Sequence, residues 1–224
     1  MTVFEEELKD LRIKILKMGS LVEEAIGQAM QSLVKRDSAL ARKVIENDAR
    51  TNTYDVEIDE DSIRLIALRQ PTAGDLRFVT MAMKITTDLE RIGDYAVDIG
   101  ERALELNEEP QLKPYIDLPR MAEVAQGMVH DALQAFLNRD IHLAIDVINR
   151  DDVVDQLTVQ IFNELLFFMI KDNTTITRAV KISYIAKYLE RVADHATNIA
   201  EMVVYMIEGR MIRHTRPPED LAHS

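Results

Sequence analysis

The sequence predicts an all-α protein of two pseudo-symmetric three-helix bundles, six long helices in total. Three observations predict it. Breakers are scarce, with 7 Gly and 6 Pro in 224 residues, which favours long helices over many short strands. Apolar residues recur in alternating steps of four and three over long stretches, the pattern of a helix burying one stripe. The chain also repeats itself: DLERIGDYAVDIGE, from Asp88 to Glu101, matches YLERVADHATNIAE, from Tyr188 to Glu201.

The first helix is expected from about Phe4 to Val34, with Leu8, Leu11, Ile15, Met18, Val22, Ala25, Ala29 and Leu33 inward. Thr2 and Glu5 have the spacing of a capping box. The second opens at Asp37-Ser38, good N-cap chemistry, and ends near Arg69 before the turn Gln70-Pro71-Thr72-Ala73-Gly74. The third carries Phe78, Ala82, Ile85, Leu89, Ile92, Ala96, Ile99, Ala103 and Leu106 on one stripe. Helices of roughly 30 residues would be ~45 Å long. Pro110, Pro114 and Pro119 mark a linker. The order then repeats. A fourth helix runs from about Pro119 to Asn138, and a fifth from Asp140 to Ile170. A turn at Lys171-Asp172-Asn173-Thr174 leads to a sixth from about Ile176 to Glu208. The reading divides the chain into bundles at 1–109 and 110–214 and a frayed polar tail at 215–224. Met81, Met83, Met202, Met206 and Met211 are read as core or interface fillers.

Composition removes several classes of function. The formal net charge is −12, unlike a nucleic-acid binder, which needs clustered cations against phosphate. The same charge disfavours adhesion to an anionic membrane surface. It permits cation binding and docking to basic protein surfaces. There is no Cys, so thiolate metal sites and Cys nucleophiles are excluded. The start is acidic, without the apolar core of a secretory signal. No apolar run approaches the ~20 residues of a membrane span. The longest, around LLFFMI, reads as a buried helix segment. A soluble cytoplasmic protein is expected.

The carboxylates carry the candidate chemistry. Glu90, Asp94, Asp98 and Glu101 fall on one helical face. Glu190, Asp194, Asn198 and Glu201 fall on the matching face of the second copy. Both faces lie nearly opposite the apolar stripe, so the acids are expected to point to solvent or a partner. Like charges at i, i+4 destabilise a helix by ~0.2–0.5 kcal/mol per pair. A row tolerated twice points to a bound cation: Mg²⁺, Ca²⁺, Mn²⁺ or iron, or borderline Zn²⁺. The second helix adds Asp48, Asn52, Asp55 and Asp59 on the flank of its core stripe, and the fifth adds Asp151 and Asp155 before Thr158. Taken singly, each acid reads better as part of a solvated face. A di-iron site inside the bundle would need Glu-x-x-His pairs, which the sequence lacks. His130, His142, His195, His214 and His223 read as surface or flank residues. No phosphate loop, Ser/His/Asp spacing or nucleotide fingerprint is present.

With RQPTAGDLR (Arg69 to Arg77), DLERIGDYA (Asp88 to Ala96) and YLERVADHATNIAE in this order, the sequence closely resembles the PhoU family over all but its tail. The resemblance implies two three-helix bundles with surface clusters of iron or zinc on Glu/Asp-x-x-x-Asp motifs. Those motifs land on Glu90 and Asp94 and on Glu190 and Asp194. Asp98, Glu101, Asn198 and Glu201 would extend them. The family's acidic positions on the second and fifth helices look to fall on Asp48, Asn52 and Asp55, and on Asp151 and Asp155. Asn198 in place of Asp98 makes the two sites unequal. The resemblance also implies a non-enzymatic homodimer that represses the phosphate regulon and restrains phosphate uptake. It would act as an adaptor between the phosphate ABC transporter and a membrane sensor histidine kinase. Two other readings stand beside this one: a metal-dependent phosphoesterase, and a plain helical scaffold whose acids only keep it soluble.

Overall fold

The computed structural model describes residues 3–209. Its elements are six long helices: α1 (Val3–Val34), α2 (Ser38–Arg69), α3 (Ala73–Asn107), α4 (Asp117–Asn138), α5 (Ile141–Lys171) and α6 (Ile176–Glu208). A short 3-10 turn, Asn173–Thr175, precedes α6. The expected helix boundaries agree closely with these. Thr2, the tail beyond Gly209 and Met211 lie outside the described residues.

Local chemistry sets the corners, and sets them twice. Asp37 caps α2 by accepting from the backbone N–H groups of Ala39 and Leu40, at 3.0 Å each. Asp140 caps α5 by accepting from Leu143 N–H at 3.0 Å. Each cap follows an Arg in the left-handed region, Arg36 and Arg139, both at φ 55°. The N–H of each capping Asp donates back into the preceding helix, to Ser32 and Ala135 carbonyls at 2.9 Å. Such a reverse bond satisfies carbonyls that a helix end leaves unpaired.

The three helices of each half pack on one another, α1 with α2 and α3, and α4 with α5 and α6. The halves then join through α3 against α6 and α1 against α4. Helices α1, α3, α6 and α4 thus form a central ring, with α2 and α5 on its outside. Asp88 meets His195 and Tyr95 meets Tyr188, so α3 and α6 run antiparallel past a pseudo-twofold axis. The apolar stripes of all six helices merge into one continuous core. Helices α1 and α4 come close at Gly19, where an added Cβ would stand 2.2 Å from Leu133 Cδ1. Phe78 of α3 stacks on Phe136 of α4 at 4.9 Å, with the Arg12 guanidinium 4.5 Å above the Phe78 ring.

One expectation fails here. The LLFFMI segment of α5 is not buried. Leu165 is enclosed, but Phe167 is 63% and Ile170 85% exposed. By length and composition α5 is the one described helix that could cross a membrane, with 22% of its apolar window buried. Sequence apolarity and burial part company because α5 packs on α4, α6 and the short turn before α6, and among the described residues no helix covers its outer side.

Candidate functional site

The expected acidic rows come together in pairs of helices. In the first half, Asp48 and Asp55 of α2 share the α2–α3 groove with Glu90 and Asp94 of α3. Their fields interact. Burial raises the Asp48 pKa and Asp94 raises it further. Glu90 is raised by burial first, then by Asp94, Asp55 and Asp48. Burial and the neighbouring Asp59 raise Asp55. Asn52 donates to Asp48 at 2.8 Å and so braces it. Gly93 lets the two helices close here: a Cβ on it would stand 3.3 Å from Thr51 Cγ2 and 3.5 Å from Asp48 Oδ1.

The second half repeats the arrangement with α5 and α6. Asp151 is pushed up to about 6, by burial first and then by Asp155 and Asp194. Burial, Glu190 and Asp194 raise Asp155. Burial and Glu190 raise Asp194, against the pull of Arg191 and Lys187. These are two sets of mutually repelling carboxylates at equivalent places in the fold.

The structure corrects the sequence reading of their surroundings. Glu90, Asp94, Asp98, Glu190, Asp194, Asn198 and Glu201 are half-buried, and Glu101 is exposed. Glu101 apart, they do not lie on a free face opposite the core, because α3 and α6 are each packed by three helices. The basic neighbours also engage. Arg91 pairs with Asp94 at 3.2 Å, Lys187 with Glu190 at 2.7 Å and Arg191 with Asp194 at 3.5 Å. Asp98 and Glu101 reach in another direction, raising the pKa of Tyr188 on α6 after burial has done so. Asn198 and Glu201 lie one and two turns further along α6 than Asp194.

The donor chemistry fits a hard cation: all-oxygen, with an excess of negative charge. Iron and zinc accept such ligands as well. Among the described residues, however, no three His, Asp or Glu side chains are gathered closely enough to hold an ion as they are posed. A cation would have to draw the side chains together by rotamer changes.

Comparison with known proteins gives the family. The PhoU domain model matches residues 15–103 and again 118–203. The chain belongs to the PhoU family. A phosphate-specific transport system accessory protein PhoU homolog of Aquifex aeolicus is 43% identical over 93% of this chain and 95% of its own. The homolog of Pseudomonas aeruginosa is 39% identical over 99% and 93%. Among solved structures, PhoU from Pseudomonas aeruginosa superposes with a TM-score of 0.89 at 39% identity, covering 92% of this chain and all of that one. The phosphate transport system regulatory protein PhoU from Streptococcus pneumoniae gives 0.87 at 33% identity, covering 93% and 98%. The all-α PhoU architecture expected from the sequence is the architecture observed.

Sequence reasoning missed one polar contact of this PhoU chain. His195 is not a loose flank residue. Its Nδ1 lies 2.6 Å from Asp88 Oδ1 across the α3–α6 seam, both side chains largely buried. Tyr95 lies beside it, and Tyr188 and Tyr184 continue the stack at 6.0 and 6.2 Å. The signal was in the repeat's mismatches, Asp88 against Tyr188 and Tyr95 against His195.

Proposed function

We propose that this PhoU protein is a negative regulator of phosphate uptake and of the phosphate-starvation response. It acts in the cytoplasm as an adaptor between the phosphate ABC transporter and a sensor histidine kinase, and works as a homodimer without catalysis of its own. The observation that carries the reading is near full-length similarity to proteins named for the phosphate transport system. The paired acidic grooves add a ligand-dependent element. Asp48, Asp55, Glu90 and Asp94 in one half, and Asp151, Asp155, Glu190 and Asp194 in the other, would hold iron, zinc or another divalent cation. A bound cation would neutralise carboxylates that otherwise repel one another, clamping α2 to α3 and α5 to α6.

The test is genetic. Deleting the gene should raise alkaline-phosphatase reporter output in phosphate-rich medium, and the wild-type gene should restore repression. Full repression in the deletion strain would refute the regulatory role. A quadruple variant, Glu90→Gln, Asp94→Asn, Glu190→Gln and Asp194→Asn, separates metal from scaffold. Loss of bound metal by elemental analysis, with failed complementation by folded protein, supports the cation reading. Full complementation by a metal-free variant reduces the acids to a solvated face.

A further inference from the structure

The outer face of the second bundle carries a groove that meets the carboxylate site only at one end. It lies between α5 and α6, has a volume of about 450 Å³ and is lined by Thr158, Val159, Phe162, Val180, Tyr184 and Lys187 among others. Phe162 is 49%, Val159 60% and Tyr184 51% exposed. The apolar surface continues along α5 through Phe167 and Ile170. From Gln156 to Ile170 the only charged residue is Glu164, and Lys113 of the linker ties it down. Exposed apolar residues scattered singly are ordinary, whereas a contiguous patch marks an interaction surface.

The fold does not require this face. The capping residues Asp37 and Asp140 put the two halves in register. In that register Asp55, Asp59 and Arg64 of α2 stand where Thr158, Phe162 and Phe167 stand on α5. On α3, in the register of the repeat that sets Asp88 against Tyr188, Thr80 and Lys84 stand where α6 has Val180 and Tyr184. Val56 and Ile63 keep the apolar type of Val159 and Leu166. The same bundle is therefore built once with a charged groove and once with an aromatic one.

The groove is also polar in the directional sense. Toward the connecting turn it is apolar. Beyond Thr158 and Lys187 it runs into Asp155 and Glu190, and then Asp151 and Asp194, where burial and the neighbouring acids raise the pKa values of Asp151, Asp155 and Asp194. We propose that the α5–α6 groove docks an amphipathic helix from a partner protein. The helix would lay its apolar face over Phe162 and Tyr184 and its basic end over Asp155 and Glu190. A groove between two packed helices accepts a third by ridge-into-groove contact. Charge complementarity at one end sets its direction. The acids and the net charge of −12 oppose an anionic lipid surface as the occupant. The inference rests on the adaptor reading for its biological meaning, since it names the surface an adaptor would use.

Fluorescence polarisation with the full-length, chelator-treated protein tests it. Three probes are needed: a labelled leucine-rich amphipathic helix with a lysine–arginine end, the same helix with a glutamate end, and phosphatidylserine-containing vesicles. The basic peptide should bind at least ~10-fold tighter than the acidic one. Phe162→Asp with Tyr184→Lys, the residue types of the first half, should weaken it ~10-fold or more, as loss of a buried aromatic anchor does, while circular dichroism stays helical. Asp155→Lys with Glu190→Lys should reverse the charge preference. Equal binding of both peptides, or unchanged affinity in the aromatic variant, overturns the proposal. So does binding of vesicles in place of peptide, or a wild-type dimer that the aromatic variant converts to monomer. The reporter strain separates the two levels. If deletion derepresses and the aromatic variant complements fully despite losing the peptide, the regulatory reading stands and the groove is not its docking site. If deletion leaves repression intact, the regulatory reading fails whatever the peptide does.

Discussion

Asp151 shows how one residue links the bundle's packing to pH. Burial and its acidic neighbours raise its pKa to about 6. Its proton is therefore held more readily in the folded chain than in the unfolded one, so stability falls as pH rises through that value and is recovered below it. Asp48, Asp55, Glu90, Asp98, Asp155 and Asp194 are raised in the same direction. Metal-free protein should melt at a higher temperature at pH 5.5 than at pH 7.5 by calorimetry. Asp151→Asn should raise the melting temperature at pH 7.5 and shrink the difference; an unchanged pH profile would contradict the raised value. The Asp88–His195 contact at 2.6 Å makes a second residue-scale prediction. A double-mutant cycle of Asp88→Asn and His195→Gln should return a coupling of about 1 kcal/mol, the usual range for an intramolecular hydrogen bond. A coupling of zero would mean the two groups stabilise the seam independently.

At the scale of the element, capping and close approach decide where helices stop and how near they come. Asp140→Ala should cost about 1 kcal/mol, typical of a lost N-cap, measured by urea denaturation. A cost near zero would place the stop signal in Arg139 and the reverse backbone bond instead. Gly93 acts differently, by letting α3 approach α2 beside Asp48. Gly93→Val should separate these helices and lower cation affinity in the first groove. The second half, which has Ala193 at that place, should keep its own. Calorimetric titration with Mn²⁺ or Zn²⁺ would resolve two sites in the wild type and a selective loss in the variant. Equal weakening of both would contradict a local effect.

Across the whole molecule the two halves share one core. The Phe78–Phe136 stack, the Gly19–Leu133 contact and the α3–α6 seam all cross between them. Such a protein should unfold in a single calorimetric transition, although its sequence is a repeat. Phe136→Ala should cost ~3–5 kcal/mol by creating a cavity in that shared core. Two separable transitions, with only the later one moved by Phe136→Ala, would show the halves folding independently.

By itself the sequence determined the class, the order and the ends of the six helices, and the family. Apolar spacing and capping chemistry are local, and a side chain on a helix points where its position in the turn sends it. The match of the two ER-containing segments, identical at seven of fourteen positions, carried the pseudo-symmetry as well. Only the tertiary structure decided what surrounds each stripe. It put half-buried acids in grooves beside α2 and α5, because three neighbours crowd α3 and α6. It joined Asp88 to His195 over a long separation in sequence. It also left the most apolar part of α5 uncovered, since α5 has neighbours on its inner side alone. Periodicity states which residues share a face. Which faces are covered depends on how many helices arrive, and that is a property of the assembled bundle.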